Sequence, residues 1–363
     1  MHGSLPKGAA PVFGLGFERR WDLVPRKSGS PLVLAGDVGG TKTVLGLFSI
    51  DSGRPRPRVE ETFASSRAAN LEEIIERFLR QHGADITAVC FGVAGPVING
   101  QCKTTNLPWK ISEKRIESRF GFSSVRLLND LTATAFAIPL LRPKELHALN
   151  RRKPAGERVG LVAPGTGLGM ALVIRTRRHR FCIPSEGGHT DFAPKDTWEH
   201  GLWQHLHRRF GHVSVERVVS GPGLVNIYSY LKETGAHAEP SWLSARLEHE
   251  DPAMVISQTA LNDAASLATE SLRRFVSVLG AICGNLALVG LTTGGIYLGG
   301  GICPQILPEL KKGAFLNAFA EKGRFRDLLV KIPIKVILNP RAALLGAASH
   351  AMQALNAPQE DRA

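Results

Sequence analysis

Regular hydrophobic patterning begins at Leu32, after thirty residues in which proline, glycine and arginine interrupt every apolar run. From Leu32 an apolar run, a glycine-rich turn and a second apolar run predict a β-hairpin built around Gly39 and Gly40. A third strand is predicted over residues 59–64, and Asn70 is predicted to cap an amphipathic helix that follows it. Residues 1–30 are predicted to form a loose, flexible basic extension.

The same pattern of strand, glycine-rich turn and strand recurs from Val159 onward. Between the two copies the pattern predicts strands over residues 86–93 and 125–128, helices over 112–120 and 131–140, and a polar hairpin through 104–106. After the second copy it predicts a helix over 196–210, a strand over 296–298 and a helix over 342–355. Strands mixed with helices, twice over, predict two α/β domains with a cleft between them.

Composition agrees with a folded protein of about two domains. The chain has 363 residues, of which 43% are hydrophobic and 21% charged, and this excludes wholesale disorder, collagen and coiled coil. The net charge of +13 would attract phosphate-bearing ligands or nucleic acid, but the basic residues are scattered. We therefore interpret them as solvated surface.

The cysteines and the longest apolar stretch bear on the compartment. Five cysteines without CxxC spacing predict buried, reduced thiols and hence a reducing, cytoplasmic location. Residues 275–308 carry no charge and are long enough to span a bilayer, but glycines interrupt them. The stretch predicts a buried helix, a turn and a buried strand, and the chain is expected to have no membrane partner.

The first glycine turn, GDVGGTKT, misses the phosphate-binding P-loop pattern by one residue, because Thr41 replaces its second glycine. A P-loop opens a helix, whereas β-branched and aromatic residues follow here and predict a strand. The turn therefore predicts a hairpin whose backbone N–H groups can approach phosphate, with Thr41 and Lys42 as further donors and Asp37 within reach of a metal ion. An ordinary tight hairpin would explain the glycines but not the flanking Asp and Thr.

Two further glycine clusters carry weaker signals. The turn GTGLG at residues 165–169 resembles a dinucleotide fingerprint, but Met170 stands where the last glycine belongs and a strand follows. A structural turn and a second phosphate clamp are equally compatible with it. The cluster at residues 299–301 follows a predicted buried strand and would let a flat base lie against the backbone.

Two acidic positions have competing interpretations. Asp130 follows the predicted strand 125–128, where the residues alone favour a helix N-cap and a carboxylate base is a compatible second role. Glu186 and His189 form a pair that would suit a metal or a sugar, but no cysteine follows closely. Contact with a sugar is the preferred interpretation of that pair.

Six separated motifs together carry a family resemblance. They are LAGDVGGTKT, LLNDLTATAFAIP, GTGLG, PSEGGHTDFAP, VSVERVVSGPGLVNIY and YLGGGI, in this order. Over about residues 32–355 the chain resembles the sugar kinases of the actin-like ATPase superfamily and, within it, the bacterial-type glucokinases. The zinc-binding cysteine segment of the related ROK kinases is absent. The resemblance implies an α/β, two-domain actin-like ATPase (ribonuclease H-like) fold with an interdomain cleft, its small domain at 32–140 completed by a helix at 341–356 and its large domain at 141–340.

The resemblance also implies the substrates and their ligands. ATP would lie between two hairpins and beside the third glycine cluster, at Asp37, Gly39, Gly40, Thr41, Lys42, Thr43, Gly165, Thr166, Gly167, Gly299, Gly300 and Gly301. Glucose would contact Asn106, Asn129, Asp130, Glu186, His189 and Glu216. Asp130 would be the general base, and Asp37 would reach Mg²⁺ directly or through water. The implied partners are glucose, ATP and a second copy of the chain, without nucleic acid.

Two other functions stay open at this point. A kinase of another hexose would carry the same motifs. A sugar-sensing regulator on the same fold would need a nucleic-acid reader, and residues 1–30 are too broken by Pro6, Pro11 and Pro25 for a helix-turn-helix.

Overall fold

The computed structural model describes residues 32–49, 53–83, 85–104, 107–175 and 180–356. The predicted extension at 1–30 and the predicted sugar ligand Asn106 lie outside these ranges. Within them the strands are β1 (Leu32–Val38), β2 (Lys42–Ser49), β3 (Arg56–Ala64), β4 (Ile86–Val93), β5 (Val97–Ile98), β6 (Gln101–Lys103), β7 (Lys110–Ser112), β8 (Val125–Asn129), β9 (Leu146–Ala148), β10 (Arg158–Pro164), β11 (Leu168–Arg175), β12 (Arg180–Ser185), β13 (Gly295–Leu298) and β14 (Ile334–Ile337).

The helices in the same ranges are α1 (Leu71–His82), α2 (Glu113–Phe120), α3 (Asp130–Ala137), α4 (Thr197–Phe210), α5 (Gly221–Glu233), α6 (Ser241–His249), α7 (Pro252–Leu261), α8 (Ser266–Gly290), α9 (Ile302–Gln305), α10 (Leu307–Leu310), α11 (Ala314–Ala320), α12 (Arg326–Leu329) and α13 (Ala342–Asn356). Asn70 caps α1 as predicted, because its side chain accepts a hydrogen bond of 2.9 Å from the Glu73 N–H. The apolar side of α1 packs against the first sheet, where four of its residues are fully buried: Leu71, Ile74, Ile75 and Phe78.

The first sheet has the strand order β3-β2-β1-β4-β8. Strands β1, β2 and β3 are antiparallel neighbours, whereas β4 and β8 run parallel to β1. The predicted hairpin is present, with Val38 paired to Thr43 at its closed end. A strand rather than a helix follows the first glycine turn, which confirms the rejection of a P-loop.

The second sheet repeats this order as β12-β11-β10-β13-β14, with β9 added at its edge. Strands β10, β11 and β12 are again antiparallel, and β13 and β14 run parallel to β10. The repeat seen in the sequence is therefore a repeat of topology. The short strand β9, which pairs antiparallel with β14, was not predicted, because three residues carry too little pattern to indicate a strand.

Helix α8 is long and apolar enough, by length and composition, to cross a membrane. However, 67% of its most apolar window is buried inside the fold, where it packs against β10, α7 and α11. Its last turns and β13 are the buried helix and buried strand predicted for residues 275–308. Cys90, Cys102, Cys283 and Cys303 are buried free thiols as predicted, and Cys182 is partly exposed.

Helices α3 and α13 lie between the two sheets. Leu344 and Ala348 of α13 pack with residues of β1 and β4, while Leu345 packs with residues of β10 and β11. The two helices approach so closely that a Cβ on Gly346 would lie 1.7 Å from the carbonyl oxygen of Ala133. Only glycine fits this position. The division into domains at residue 140 stays a prediction.

Candidate active site

A cleft of about 950 Å³ lies where strands of both sheets end. Parallel strands β1 and β8 deliver residues from the first sheet, and β10, β13 and β14 deliver residues from the second, all at their carboxyl ends. Of the residues predicted for the site, the cleft is lined by Asp37, Lys42, Asp130, Gly165, Thr166, Gly167, Glu186, His189, Glu216, Gly299, Gly300 and Gly301. Residues far apart in sequence are thus brought together at one place.

The turn of the first hairpin is held by a hydrogen bond across it and by a second one from Ser65. The Gly39 N–H donates to the Lys42 carbonyl at 3.0 Å, and Ser65 donates to the Gly39 carbonyl through Oγ at 2.8 Å. Thr43 is fully buried, with its hydroxyl 2.9 Å from Ser65 Oγ. We therefore correct the prediction for Thr43, because its hydroxyl supports the turn instead of facing the cleft. Gly39, Gly40 and Thr41 form the turn without lining the cleft.

Two carboxyl groups from the first sheet face this cleft. Burial, and then the negative charge of Asp130, raise the pKa of Asp37 to about 6, and Arg341 opposes this shift. Burial also raises the pKa of Asp130, although a hydrogen bond of 2.8 Å from the Leu131 N–H to Oδ1 works against it. Two carboxyl groups that repel each other in a partly buried position favour a proton or a cation near them.

Asn129, and not Asp130, is the N-cap of α3. Its Oδ1 accepts from the Leu131 N–H at 3.0 Å and from the Thr132 N–H at 3.4 Å. Its Nδ2 donates to the Gly95 carbonyl at 3.2 Å. The prediction that Asp130 caps the helix was therefore wrong, and the side chain of Asn129, which was predicted to contact sugar, is held on backbone groups on both sides.

The second hairpin is tied to two other segments. Its Gly165 N–H donates to the Gly167 carbonyl at 2.8 Å, and the Gly165 carbonyl accepts from the Gly221 N–H at 2.8 Å. The Leu168 N–H donates to Oε2 of Glu216 at 2.8 Å. Strand β11 follows the turn, so the dinucleotide-fold interpretation is excluded.

Glu186 and His189 project from the loop that follows β12. Their side chains are 84% and 60% exposed, and Oε2 of Glu186 lies 3.9 Å from Nε2 of His189. Beneath them, a Cβ on Gly188 would lie 2.2 Å from the Leu168 carbonyl oxygen, so the loop rests directly on the second hairpin. Nowhere in the described ranges do three or more His, Cys, Asp or Glu side chains group as metal ligands.

A second cavity, of about 660 Å³, adjoins the cleft and shares Gly165, Thr166 and Gln305 with it. Its lining includes Phe210, whose ring centroid lies 4.1 Å from the Arg217 guanidinium carbon. Sequence reasoning missed this cavity, because its walls come from α4, α5, α7 and α9, which no single motif connects.

The third glycine cluster, residues 299–301, lines the cleft. The Gly299 N–H donates to the Val162 carbonyl at 2.8 Å. Gly300 has φ +73°, and a Cβ there would lie 2.3 Å from the Pro164 carbonyl oxygen. The backbone therefore passes Pro164 at a point where no side chain could be accommodated.

Comparison with known proteins agrees with this geometry. The glucokinase family model matches residues 34–354. A glucokinase of Nostoc punctiforme is 38% identical over 333 residues, which cover 87% of this chain and 98% of that protein. The crystal structure of a glucokinase from an Antarctic psychrotroph superposes with a TM-score of 0.79 at 27% identity, and the match covers 90% of this chain and 100% of that one.

A more distant structure shows the fold alone. A ROK family glucokinase from Streptomyces griseus, solved in complex with glucose and AMPPNP, superposes with a TM-score of 0.60 at 22% identity over 89% of this chain and 99% of that one. The fold is thus the two-domain actin-like α/β fold of the sugar kinases, in which the cleft holds the clustered residues. On the extent of the family match and the 38% identity, the chain is an enzyme that belongs to the glucokinase family.

Proposed function

We propose that the chain transfers the γ-phosphoryl group of Mg·ATP to the 6-hydroxyl of D-glucose and so forms glucose 6-phosphate. The observation that carries this proposal is the position of Asp130, a partly buried carboxyl group that lines the cleft together with residues of both glycine hairpins. A kinase of this type needs such a group where the acceptor hydroxyl meets the phosphoryl donor. The names of the related proteins give the substrate class.

Asp130 acts as the general base. Burial raises its pKa, which brings the carboxylate nearer to the proton affinity that suits a base at neutral pH. Its place as first residue of α3, fixed by the Asn129 cap, keeps the carboxylate at the cleft. It accepts the proton of the glucose 6-hydroxyl while that oxygen attacks the γ-phosphorus and the bond to the β-phosphate oxygen breaks.

The two hairpins and Lys42 hold the triphosphate, and the nucleoside lies toward residues 299–301 and the adjoining cavity. Asp37 suits the Mg²⁺ that ATP carries, because the nearby charge of Asp130 already favours a cation there. When bound, Mg²⁺ offsets charge on the β- and γ-phosphates. Closure of the cleft would exclude water from the reacting groups.

Glucose lies between Asp130 and the loop that carries Glu186 and His189, with Glu216 behind it. These side chains carry acceptors and donors for sugar hydroxyls, and all of them line the same cleft. The exposure of Glu186 leaves its carboxylate available to a ligand. The sequence prediction for these residues is retained as part of the proposal.

A coupled assay of ADP release across a panel of hexoses tests the proposal. We expect turnover that requires both Mg²⁺ and a hexose, with glucose the fastest substrate. Equal turnover of N-acetylmannosamine would contradict the assignment to glucose. Salt-sensitive DNA binding without any kinase rate would instead favour the sugar-sensing regulator.

A further inference from the structure

Glu216 touches the second hairpin as well as the cleft. Its Oε2 accepts from the Leu168 N–H at 2.8 Å, and a Cβ on Gly167 would lie 2.5 Å from the same oxygen. Glu216 is only partly exposed, and Oε1 has no hydrogen-bond partner within the described part of the chain. One oxygen of the carboxylate is thus committed to the hairpin, and the other is available to a ligand.

The backbone around Glu216 is fixed by the first turn of α5. Ser220 donates through Oγ to the Glu216 carbonyl at 2.7 Å, and the same Oγ accepts from the Gly223 N–H at 3.0 Å. The next residue, Gly221, donates its N–H to the Gly165 carbonyl. The start of α5 therefore makes hydrogen bonds both to the segment that carries Glu216 and to the hairpin.

The second hairpin also packs against the other two parts of the predicted sugar site, namely the loop that carries Glu186 and the start of α3. The Leu168 carbonyl oxygen lies directly under Gly188, between Glu186 and His189. A Cβ on Gly169 would lie 3.1 Å from the side chain of Leu131, the neighbour of Asp130. A shift of residues 167–169 would be transmitted to each of these segments, because packed backbone cannot yield without displacing its neighbour.

We propose that Glu216 is a positioning residue that couples the two substrate sites. This inference rests on the proposed function, in which Glu216 contacts the sugar and the second hairpin contacts the triphosphate. A sugar hydroxyl on Oε1 fixes the carboxylate, the carboxylate fixes the Leu168 N–H, and the hairpin is then ordered for the phosphates. Linkage requires the reverse effect to be equal, so bound nucleotide must tighten sugar binding by the same factor.

Calorimetric titration of the full chain with AMPPNP and Mg²⁺, with and without glucose, measures this coupling. For the wild type we expect each ligand to tighten the other about fivefold or more. In Glu216→Ala, AMPPNP alone should bind about tenfold more weakly, since the hairpin loses a charged hydrogen-bond acceptor. The coupling factor should fall to about one.

Glu186→Ala is the matched control. It removes a carboxylate from the same proposed sugar site, but within the described ranges the Glu186 side chain makes no hydrogen bond to the second hairpin. It should weaken glucose binding while leaving AMPPNP affinity and the coupling factor unchanged. Glu216→Gln, which keeps a carbonyl oxygen for the Leu168 N–H, should keep AMPPNP affinity within about threefold.

The proposal would be overturned if Glu216→Ala bound AMPPNP as tightly as the wild type does. It would also be overturned if the wild type had a coupling factor of one, or if Glu186→Ala lost coupling to the same extent as Glu216→Ala. If Glu216→Ala does not fold, a Glu216→Gln variant that loses AMPPNP binding would overturn it equally. Binding of AMPPNP without binding of any hexose would contradict the proposed function alone, and the AMPPNP affinity of Glu216→Ala would still decide whether Glu216 holds the hairpin.

Discussion

The carboxyl group of Asp37 lies close enough to that of Asp130 for the negative charge of Asp130 to add to burial in raising the pKa of Asp37 to about 6. Asp37 lies near the carboxyl end of β1, and Asp130 directly follows β8. Both strands run parallel to β4, so they end at the same edge of the first sheet. A pair of carboxyl groups held this way carries a pH dependence and a cost in stability.

Activity should show an acid limb that reports the protonation of Asp37. Below about pH 6 the carboxyl group becomes neutral and no longer favours Mg²⁺. We expect kcat/KM for ATP to fall about tenfold per unit of pH below that value. A profile of kcat/KM for ATP against pH, with glucose at saturation, measures this fall. A profile that is flat down to pH 4.5 would contradict the proposal that ionised Asp37 favours Mg²⁺.

Replacing the same group should stabilise the fold. Because the pKa of Asp37 is raised from 3.8 to about 6, the folded state binds more protons than the unfolded state within this window, and stability falls as the pH rises through it. Asp37→Asn should therefore raise the free energy of unfolding at pH 8 by about 1 to 3 kcal/mol and much less at pH 4. Urea denaturation at the two pH values measures the difference, and an equal effect at both would contradict this cause.

Asn129 should matter for both stability and rate. Asn129→Ala removes the cap of α3 and should lower the free energy of unfolding by about 1 kcal/mol. Because Asp130 is the next residue, kcat should fall as well. Asn129→Ser, which keeps a capping oxygen, should restore most of the stability. Thermal denaturation and kcat of the two variants provide the measurement, and equal stability of both would show that the cap contributes little.

The N-cap of α3 depends on a contact outside its local segment, unlike most elements of the fold. Strands, glycine turns and the Asn70 cap could be predicted, because each depends on a local pattern of apolar and turn-forming residues. Adjacent Asn and Asp residues are comparably good caps, and in the structure the Asn129 amide also donates to the carbonyl of Gly95, 34 residues away in sequence. Nothing within the local segment carries that information.

The sequence predicted most of the residues that line the site, but not the hydrogen bonds that join them. Glycine clusters and acidic residues in motif order indicated most of the residues that line the cleft. The burial of Thr43 against Ser65 and the hydrogen bond from Leu168 to Glu216 join positions 22 and 48 residues apart. Such contacts depend on how the strands pair and not on motif spacing. The homodimer and the cytoplasmic location stay predictions of the sequence.

Glu186 should act on sugar affinity alone. Hydrogen bonds to a charged group contribute about 1.5 to 3 kcal/mol, so Glu186→Ala should raise the KM for glucose about 10- to 150-fold and leave the KM for ATP nearly unchanged. Asp191 is the control, since it is 90% exposed, lies outside the cleft and pairs with His212 at 2.8 Å. Asp191→Ala should change neither KM. A rise in the KM for ATP in Glu186→Ala would contradict the proposal that Glu186 contacts the sugar alone.

The rate of phosphoryl transfer by Asp130→Asn tests the proposed mechanism most directly. The cap of α3 is Asn129, so the substitution should leave the fold nearly intact. Loss of the base should lower kcat with glucose and Mg·ATP by about 10² to 10⁴. Steady-state kinetics, with circular dichroism to verify the fold, gives the comparison. A folded Asp130→Asn variant with a kcat near that of the wild type would contradict the role of Asp130 as general base.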